Sequence, residues 1–104
     1  MTQITYDGEY GLTIKGHAQY AARGKDIVCA AISALSFSLA TKLEKDADKI
    51  SDADVRFEEE ATVISCTPKE GYRDECRGAY DVVLEGFKQM ARAYPKNVTY
   101  IQQG

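Results

Sequence analysis

The chain is poor in the residues that bind metal ions or build disulfide frameworks. Its 104 residues include one histidine, His17, and three cysteines, Cys29, Cys66 and Cys76. No two cysteines stand in a CxxC spacing, which excludes the usual zinc and dithiol redox motifs. A zinc ion would need scattered carboxylates beside the one imidazole, so we expect no metal. Three thiols cannot all pair, which favours a reducing compartment.

An excess of basic charge and a targeting segment are also missing. The 13 Lys and Arg residues are outnumbered by 16 Asp and Glu residues, giving a net charge of −3. This balance argues against general nucleic-acid binding, which needs a concentrated basic surface. Residues 1–7 lack the basic start and apolar core of a signal peptide, and no stretch approaches the roughly 20 apolar residues of a membrane span. We therefore expect a cytoplasmic protein with no membrane and no nucleic-acid partner.

The acidic residues are concentrated in one part of the chain. Residues 44–60 hold eight of the sixteen carboxylates and three basic residues. A solvated acidic face is the simpler interpretation, although such a field also steers a small, very basic partner.

The spacing of apolar residues predicts five strands and two helices, in a chain whose length fits one domain over residues 1–104. Asp7-Gly8 and Glu59-Glu60 mark the turns of two hairpins. The first helix begins at Asp26, a potential N-cap, and the second ends before Pro95. The predicted strands lie at 4–6, 10–14, 55–57, 61–67 and 98–100, and the predicted helices at 26–43 and 73–94.

This order, β-β-α-β-β-α-β, is typical of an α+β fold. We expect a two-layer sandwich with two helices packed on one mostly antiparallel sheet, whose strand order the pattern leaves open. The first half of the first helix is apolar almost all round, which predicts burial on more than one side. That helix either lies between layers of its own domain or contributes to a homodimer contact.

The residues best suited to catalysis lie at the junction of the second strand, the following loop and the first helix. His17 follows the second strand, and Cys29 is the third residue of the helix if Asp26 is its N-cap. Helix dipoles and a protonated His17 would stabilise a thiolate over a thiol. An imidazole that removes the thiol proton is the base of the simplest nucleophilic dyad. The free amides of the first turn are candidate donors to an oxyanion.

The loop between the two has several open interpretations. Arg23 and Lys25 make it electropositive, and Gly24 would let it open and close over a substrate, unless it is merely a connection. Tyr20 either lines a substrate cleft or anchors the loop to the core. Asp26 caps the helix, orients the imidazole, or does both.

The simpler interpretation of each thiol is packing. A cysteine in an apolar helix is usually a small buried hydrophobe, and spacing alone does not exclude this for Cys29. Cys66 alternates in phase with Ile64 inside a strand, and Cys76 falls on the apolar face of the second helix. We predict that both are structural.

One segment resembles a known signature. It reads Gly16-His17-Ala18, a short loop, and then Gly-Lys-Asp-Ile-Val-Cys-Ala-Ala-Ile-Ser over residues 24–33. This is similar to the signature of the ribosomal-processing cysteine protease family, Prp: GHA, a variable loop, and GxDIVCAA followed by a small aliphatic residue and Ser. The length, the first hairpin and a last helix ending at Tyr94-Pro95 agree more loosely.

The resemblance implies a cysteine endopeptidase that removes a short N-terminal extension from ribosomal protein twenty-seven of the bacterial large subunit, a strongly basic protein. It also implies a homodimer without metal or cofactor. The implied site comprises Cys29 as nucleophile and His17 as general base, with Asp26 as a supporting residue. We add Ser33, the last residue of the signature, as a second supporting residue, and Tyr20 and Gly24, from the loop itself, as candidates for a substrate loop.

Functions of other classes stay open at this point. A ribosome-associated binding or assembly module would use Cys29 only for packing. A relative encoded by a phage would keep the dyad and cleave a different precursor. A thiol redox sensor is the weakest alternative, because no resolving cysteine lies near Cys29 in sequence.

Overall fold

Five strands and two helices follow one another in the predicted order. The structure, a computed structural model, describes residues 1–22 and 24–103. A single 3-10 turn, Ala47–Lys49, follows the first helix. The elements are β1 (Thr2–Tyr6), β2 (Gly11–Lys15), α1 (Ile27–Lys45), β3 (Ile50–Phe57), β4 (Ala61–Pro68), α2 (Arg73–Ala93) and β5 (Val98–Gln102). The α+β class is confirmed, although β3 and α1 are longer than their patterns predicted.

The sheet has the strand order β3-β4-β2-β1-β5, in which only the β1–β5 pair is parallel among the described strands. The predicted mostly antiparallel sheet is therefore confirmed. Lys15 pairs with Ala61 and with Gln3, while Thr2 pairs with Val98. The exit of β2, the β3–β4 turn and the start of β5 consequently lie at the same end of the sheet.

The helices bury one stripe each. Neighbouring buried positions of α1 are three or four residues apart, as expected for a helix with one face on the core. These residues are Val28, Ile32, Ser36, Leu39 and Leu43 from α1 and Tyr80, Val83, Leu84 and Phe87 from α2. The expectation that α1 is buried on more than one side is wrong for this chain alone, because Ile27 and Phe37 are 58% and 53% exposed.

The two helices also contact each other closely. At Gly86 of α2, a Cβ atom would lie 2.7 Å from Cδ2 of Leu35 on α1. A larger residue at position 86 would therefore force the Leu35 side chain to move.

The first hairpin turns over four residues, one of which the sequence pattern assigned to a strand. Tyr10 has a φ of 65° and belongs to the turn. Its ring is buried, its hydroxyl donates to the carbonyl of Arg73 at 3.0 Å, and its carbonyl accepts from the hydroxyl of Tyr80 at 2.8 Å. These contacts offset the cost of a left-handed backbone at a bulky residue.

Helix α1 is long and apolar enough to cross a membrane by length and composition. This corrects the expectation that no stretch approaches that size. Core helices of globular folds meet the same test, and the buried stripe of α1 packs into the core formed by the sheet and α2.

Candidate active site

His17 and Cys29 line the same two cavities at the end of the sheet where β2 leaves it. His17 lies two residues beyond β2, and its side chain is exposed. Cys29 is the third residue of α1 and is partly buried. Both residues line a cleft of about 170 Å³ and an adjoining cavity of about 600 Å³. The fold thus brings together the two groups that the sequence singled out.

Asp26 joins the loop to the helix. One carboxylate oxygen, Oδ1, accepts from the amides of Val28 and Cys29, both at 3.0 Å. The other, Oδ2, accepts from the amides of Tyr20 at 3.0 Å and Ala21 at 3.3 Å. The amide of Cys29 first, and those of Ala21 and Tyr20 after it, hold the pKa of the Asp26 carboxyl below its ordinary value. The N-cap role is therefore confirmed.

These bonds leave little of Asp26 for the imidazole. Within residues 1–22 and 24–103, no hydrogen bond joins Asp26 to His17. The Cys29 side chain, by contrast, is among the groups that lower the pKa of the Asp26 carboxyl. Asp26 acts here on the loop and the helix start.

The expectation that the first turn offers free amides is wrong for most of that turn. The amides of Val28 and Cys29 donate to the Asp26 side chain, and the amide of Ala30 donates to the Asp26 carbonyl at 3.1 Å. A residue that caps a helix end occupies the donors that an oxyanion would use. Ile27 is the one residue from 27 to 30 whose amide has no such bond.

Ser33 and Gly24 also line the cavities. Ser33 is one helical turn after Cys29, so its side chain lies on the same face of α1 and contributes to both cavities. Gly24, with a φ of 86°, lines the larger cavity, and no atom would stand within 4 Å of a Cβ there. Arg23, the second basic residue assigned to this loop, lies outside the described residues.

Tyr20 is not among the residues that line these two cavities. Its ring, 47% exposed, makes an edge-to-face contact with the ring of Tyr94 at a centroid distance of 5.3 Å. Of the two interpretations of Tyr20, the contact agrees with an anchor of the loop to the end of α2.

The β3–β4 turn supplies site residues that sequence reasoning missed. Glu58, Glu59 and Glu60 line the smaller cleft opposite His17 and Cys29, and Glu59 also lines the larger cavity. The aromatic pair Phe37–Phe57, with centroids 4.7 Å apart, closes one side of the cleft. The hairpin was predicted, but its place beside β2 depends on a strand order that the sequence pattern does not reveal.

The other two thiols contact each other in a different region. Cys66 on β4 and Cys76 on α2 have their sulfur atoms 3.4 Å apart, and the Tyr80 hydroxyl lies 3.8 Å from Cys66 Sγ. Burial, and then the neighbouring Cys66 thiol, raise the pKa of Cys76 to about 12. A protonated Cys76 thiol in contact with the buried Cys66 agrees with the predicted packing role of both.

The chain is similar to one family over nearly its whole length. The family described as cysteine protease Prp matches residues 1–99. The ribosomal processing cysteine protease Prp of Mycoplasma genitalium is 32% identical over 87 residues, which is 84% of this chain and 82% of that protein. The Prp of Mycoplasma pneumoniae is 31% identical over 94 residues, 88% of this chain and 86% of the relative.

Solved structures with the same fold include a ribosomal processing protease Prp. SMU.848 from Streptococcus mutans is 25% identical, with a TM-score of 0.76 over 99% of this chain and 94% of its own. The ribosomal processing protease Prp from S. aureus, in complex with a covalently linked product peptide, is 21% identical. Its TM-score is 0.77 over 98% of this chain and 97% of that chain.

Proposed function

Because this chain belongs to the Prp family of cysteine proteases, we propose that it cleaves a ribosomal protein precursor with Cys29 as nucleophile and His17 as general base. The observation that carries the assignment is the cleft lined jointly by the one histidine of the chain and the one cysteine that starts a helix. Residues 1–104 form one cysteine-protease domain in this proposal.

The reaction follows from these positions. His17 removes the proton from the Cys29 thiol, and the thiolate attacks the scissile carbonyl to form a thioester with the N-terminal fragment. The leaving amine takes a proton from the imidazolium, and water then hydrolyses the thioester. Asp26 fixes the helix start and the loop, and Ser33 borders the same cleft from the next turn of α1.

The oxyanion needs donors beyond those that Asp26 occupies. The Ile27 amide is one candidate within the first turn, and the loop amides released from Asp26 Oδ2 would be others. The loop holding Tyr20 and Gly24 therefore acts as the substrate loop in this proposal, which requires it to move when a peptide binds.

The proposed substrate is the precursor of large-subunit ribosomal protein twenty-seven, cut once to remove its N-terminal extension. A basic substrate suits the acidic turn Glu58–Glu60 at the cleft, because opposite charges steer association. We propose that the enzyme is cytoplasmic, because a bacterial ribosomal protein precursor is made and processed in the cytoplasm.

We place a homodimer in the same proposal. A groove of about 680 Å³ runs between α1 and β3 and is continuous with the cleft through Phe37 and Phe57. These two aromatic side chains are 53% and 45% exposed in one chain, and a second copy would cover them. Light scattering of the wild type and of Phe37→Ser tests this: the variant should be monomeric.

The direct test uses the precursor protein encoded in the same genome. The wild-type protein should remove its extension, whereas Cys29→Ser should lose at least about a thousandfold in rate and His17→Gln about a hundredfold. Both variants should keep the wild-type circular dichroism spectrum, because His17 is exposed and serine nearly matches the volume of the partly buried Cys29. Equal cleavage by Cys29→Ser would refute the nucleophile, and binding of the precursor without cleavage by the wild type would favour an assembly module.

A further inference from the structure

The backbone beside His17 is held from a distant part of the chain. The side-chain amide of Asn97, in the turn between α2 and β5, donates to the carbonyl of Ala18 at 2.9 Å. Ala18 is 1% exposed, and the bond itself is partly buried. It crosses 79 residues of sequence and ends on the residue that follows His17.

Asn97 is itself fixed on both sides. The backbone amide of Asn97 donates to the backbone carbonyl of Tyr94 at 2.9 Å, and its backbone carbonyl accepts from the backbone amide of Thr2 at 2.8 Å. It therefore connects the end of α2, the start of β1 and the exit of β2 at the end of the sheet where the cleft lies. It is the only asparagine in the chain.

His17 depends on this backbone support. Its imidazole is exposed and makes no hydrogen bond with any described residue, so no side-chain partner fixes it in the free protein. On its other side, Gly16 has a φ of 81° and packs so closely that a Cβ would lie 2.4 Å from the carbonyl oxygen of Met1. The backbone that carries the ring is therefore held on both sides, at Gly16 and at Ala18.

We propose that Asn97 is a positioning residue for His17, holding the adjacent backbone so that the imidazole faces Cys29 across the cleft. This inference rests on the proposed role of His17 as general base. It assigns a function to the α2–β5 turn, whose second contact with the loop is the ring of Tyr94 against Tyr20. A displacement of about 1 Å in a catalytic group costs up to about a hundredfold in rate.

The test compares two substitutions with a charge-matched control. Asn97→Asp keeps the size of the side chain, removes the donor and adds one negative charge. Asn97→Ala removes the side chain. Gln103→Glu adds the same charge as Asn97→Asp beyond the far end of β5, where the exposed side chain makes no hydrogen bond with any described residue.

Three readouts separate positioning from general stability. The first is kcat against KM for cleavage of the precursor. The second is the proton NMR signal of the single imidazole, assigned by its loss in His17→Gln, and the third is the rate of Cys29 alkylation by iodoacetamide. We expect roughly a tenfold fall in kcat with KM nearly unchanged in both Asn97 variants. The imidazole signal should shift or broaden, and Gln103→Glu should match the wild type in all three.

The outcomes are distinguishable from those of the proposed function. If the wild type fails to cleave the precursor, the proposed substrate fails, and the imidazole signal and alkylation rate still decide the role of Asn97. An unchanged signal and alkylation rate in Asn97→Asp overturn the inference. So does a loss of activity that follows the melting temperature alone and leaves kcat per folded molecule unaltered.

Discussion

The two thiol regions of this molecule give the same residue type opposite surroundings. Cys29 starts a helix, borders two cavities together with His17, and is partly exposed. Cys66 and Cys76 lie between β4 and α2, with sulfur atoms 3.4 Å apart, and burial raises the pKa of Cys76 to about 12. Both Cys29 and Cys76 lie near the start of a helix, so the helix dipole does not separate them. Cys29 borders open cavities, whereas the strand–helix interface desolvates Cys76. Position in the fold therefore separates the proposed nucleophile, Cys29, from the two thiols that we predict to be structural.

The sharpest test of this comparison is the alkylation rate of each thiol. At pH 7, iodoacetamide should modify Cys29 about a hundredfold faster than Cys76, because only thiolates react and Cys76 stays protonated. Mass spectrometry of digested samples over time measures all three sites. His17→Gln should slow the reaction at Cys29 and leave Cys76 unchanged. Equal rates at Cys29 and Cys76 in the folded protein would remove the distinction between the regions.

The next largest effect is expected for the residue that holds the first region together. Asp26→Ala removes four backbone hydrogen bonds to the loop and the helix start, and should lower kcat about tenfold. Asp26→Asn keeps one acceptor oxygen and should retain more activity. Cleavage rates at equal folded concentration measure the effect.

The same carboxylate gives a pH dependence of stability. Its pKa is lower in the folded chain than its ordinary value of 3.8, so the folded state binds fewer protons there than the unfolded state. The stabilisation is fully present above pH 3.8 and is lost as pH falls through the folded pKa. Over that acidic range, the melting temperature of Asp26→Ala should fall less than that of the wild type. Equal falls in both proteins would contradict this role of the Asp26 carboxylate.

The region around Cys66 and Cys76 should lose stability at alkaline pH. The pKa of Cys76 rises from an ordinary value of 9.0 to about 12 on folding, so the unfolded chain loses its proton first. The stabilisation is present below pH 9 and is lost as pH rises toward 12. Melting temperatures from pH 8 to 11 should fall less steeply in Cys76→Ala than in the wild type or Cys29→Ser, which leaves the pair intact.

Local signals allowed most of the fold to be predicted, and the contacts between distant elements explain what they missed. The cap at Asp26, the turn at Glu59-Glu60 and the helix end before Pro95 each depend on neighbours in sequence, and each is confirmed. The alternating pattern places Tyr10 in a strand, which is wrong. Its φ of 65° is accompanied by contacts with Arg73 and Tyr80, which are distant in sequence and leave no local signal.

The same reasoning applies to the site. His17 and Cys29 were found because a strand, loop and helix are consecutive, while Glu58–Glu60 and Asn97 join the site only through strand order and the α2–β5 turn. The prediction of free amides contradicted the prediction of a cap, because an N-cap side chain uses those amides. A stricter count of donors would have exposed that conflict from the sequence.

The smallest effect is expected when the acidic residues around each of the two thiol regions are neutralised. Glu58, Glu59 and Glu60 line the cleft, whereas Asp74 and Glu75 lie in the first turn of α2, which holds Cys76, and Glu70 lies just before that helix. Neutralising the first three with Gln should lower kcat/KM for the basic precursor about threefold at low salt, since nearby opposite charges speed association. The loss should vanish near 0.5 M salt, where screening is strong. The equivalent amide substitutions at the second set remove the same net charge and should have little effect; if they match the first set, the attraction comes from net charge and not from the cleft.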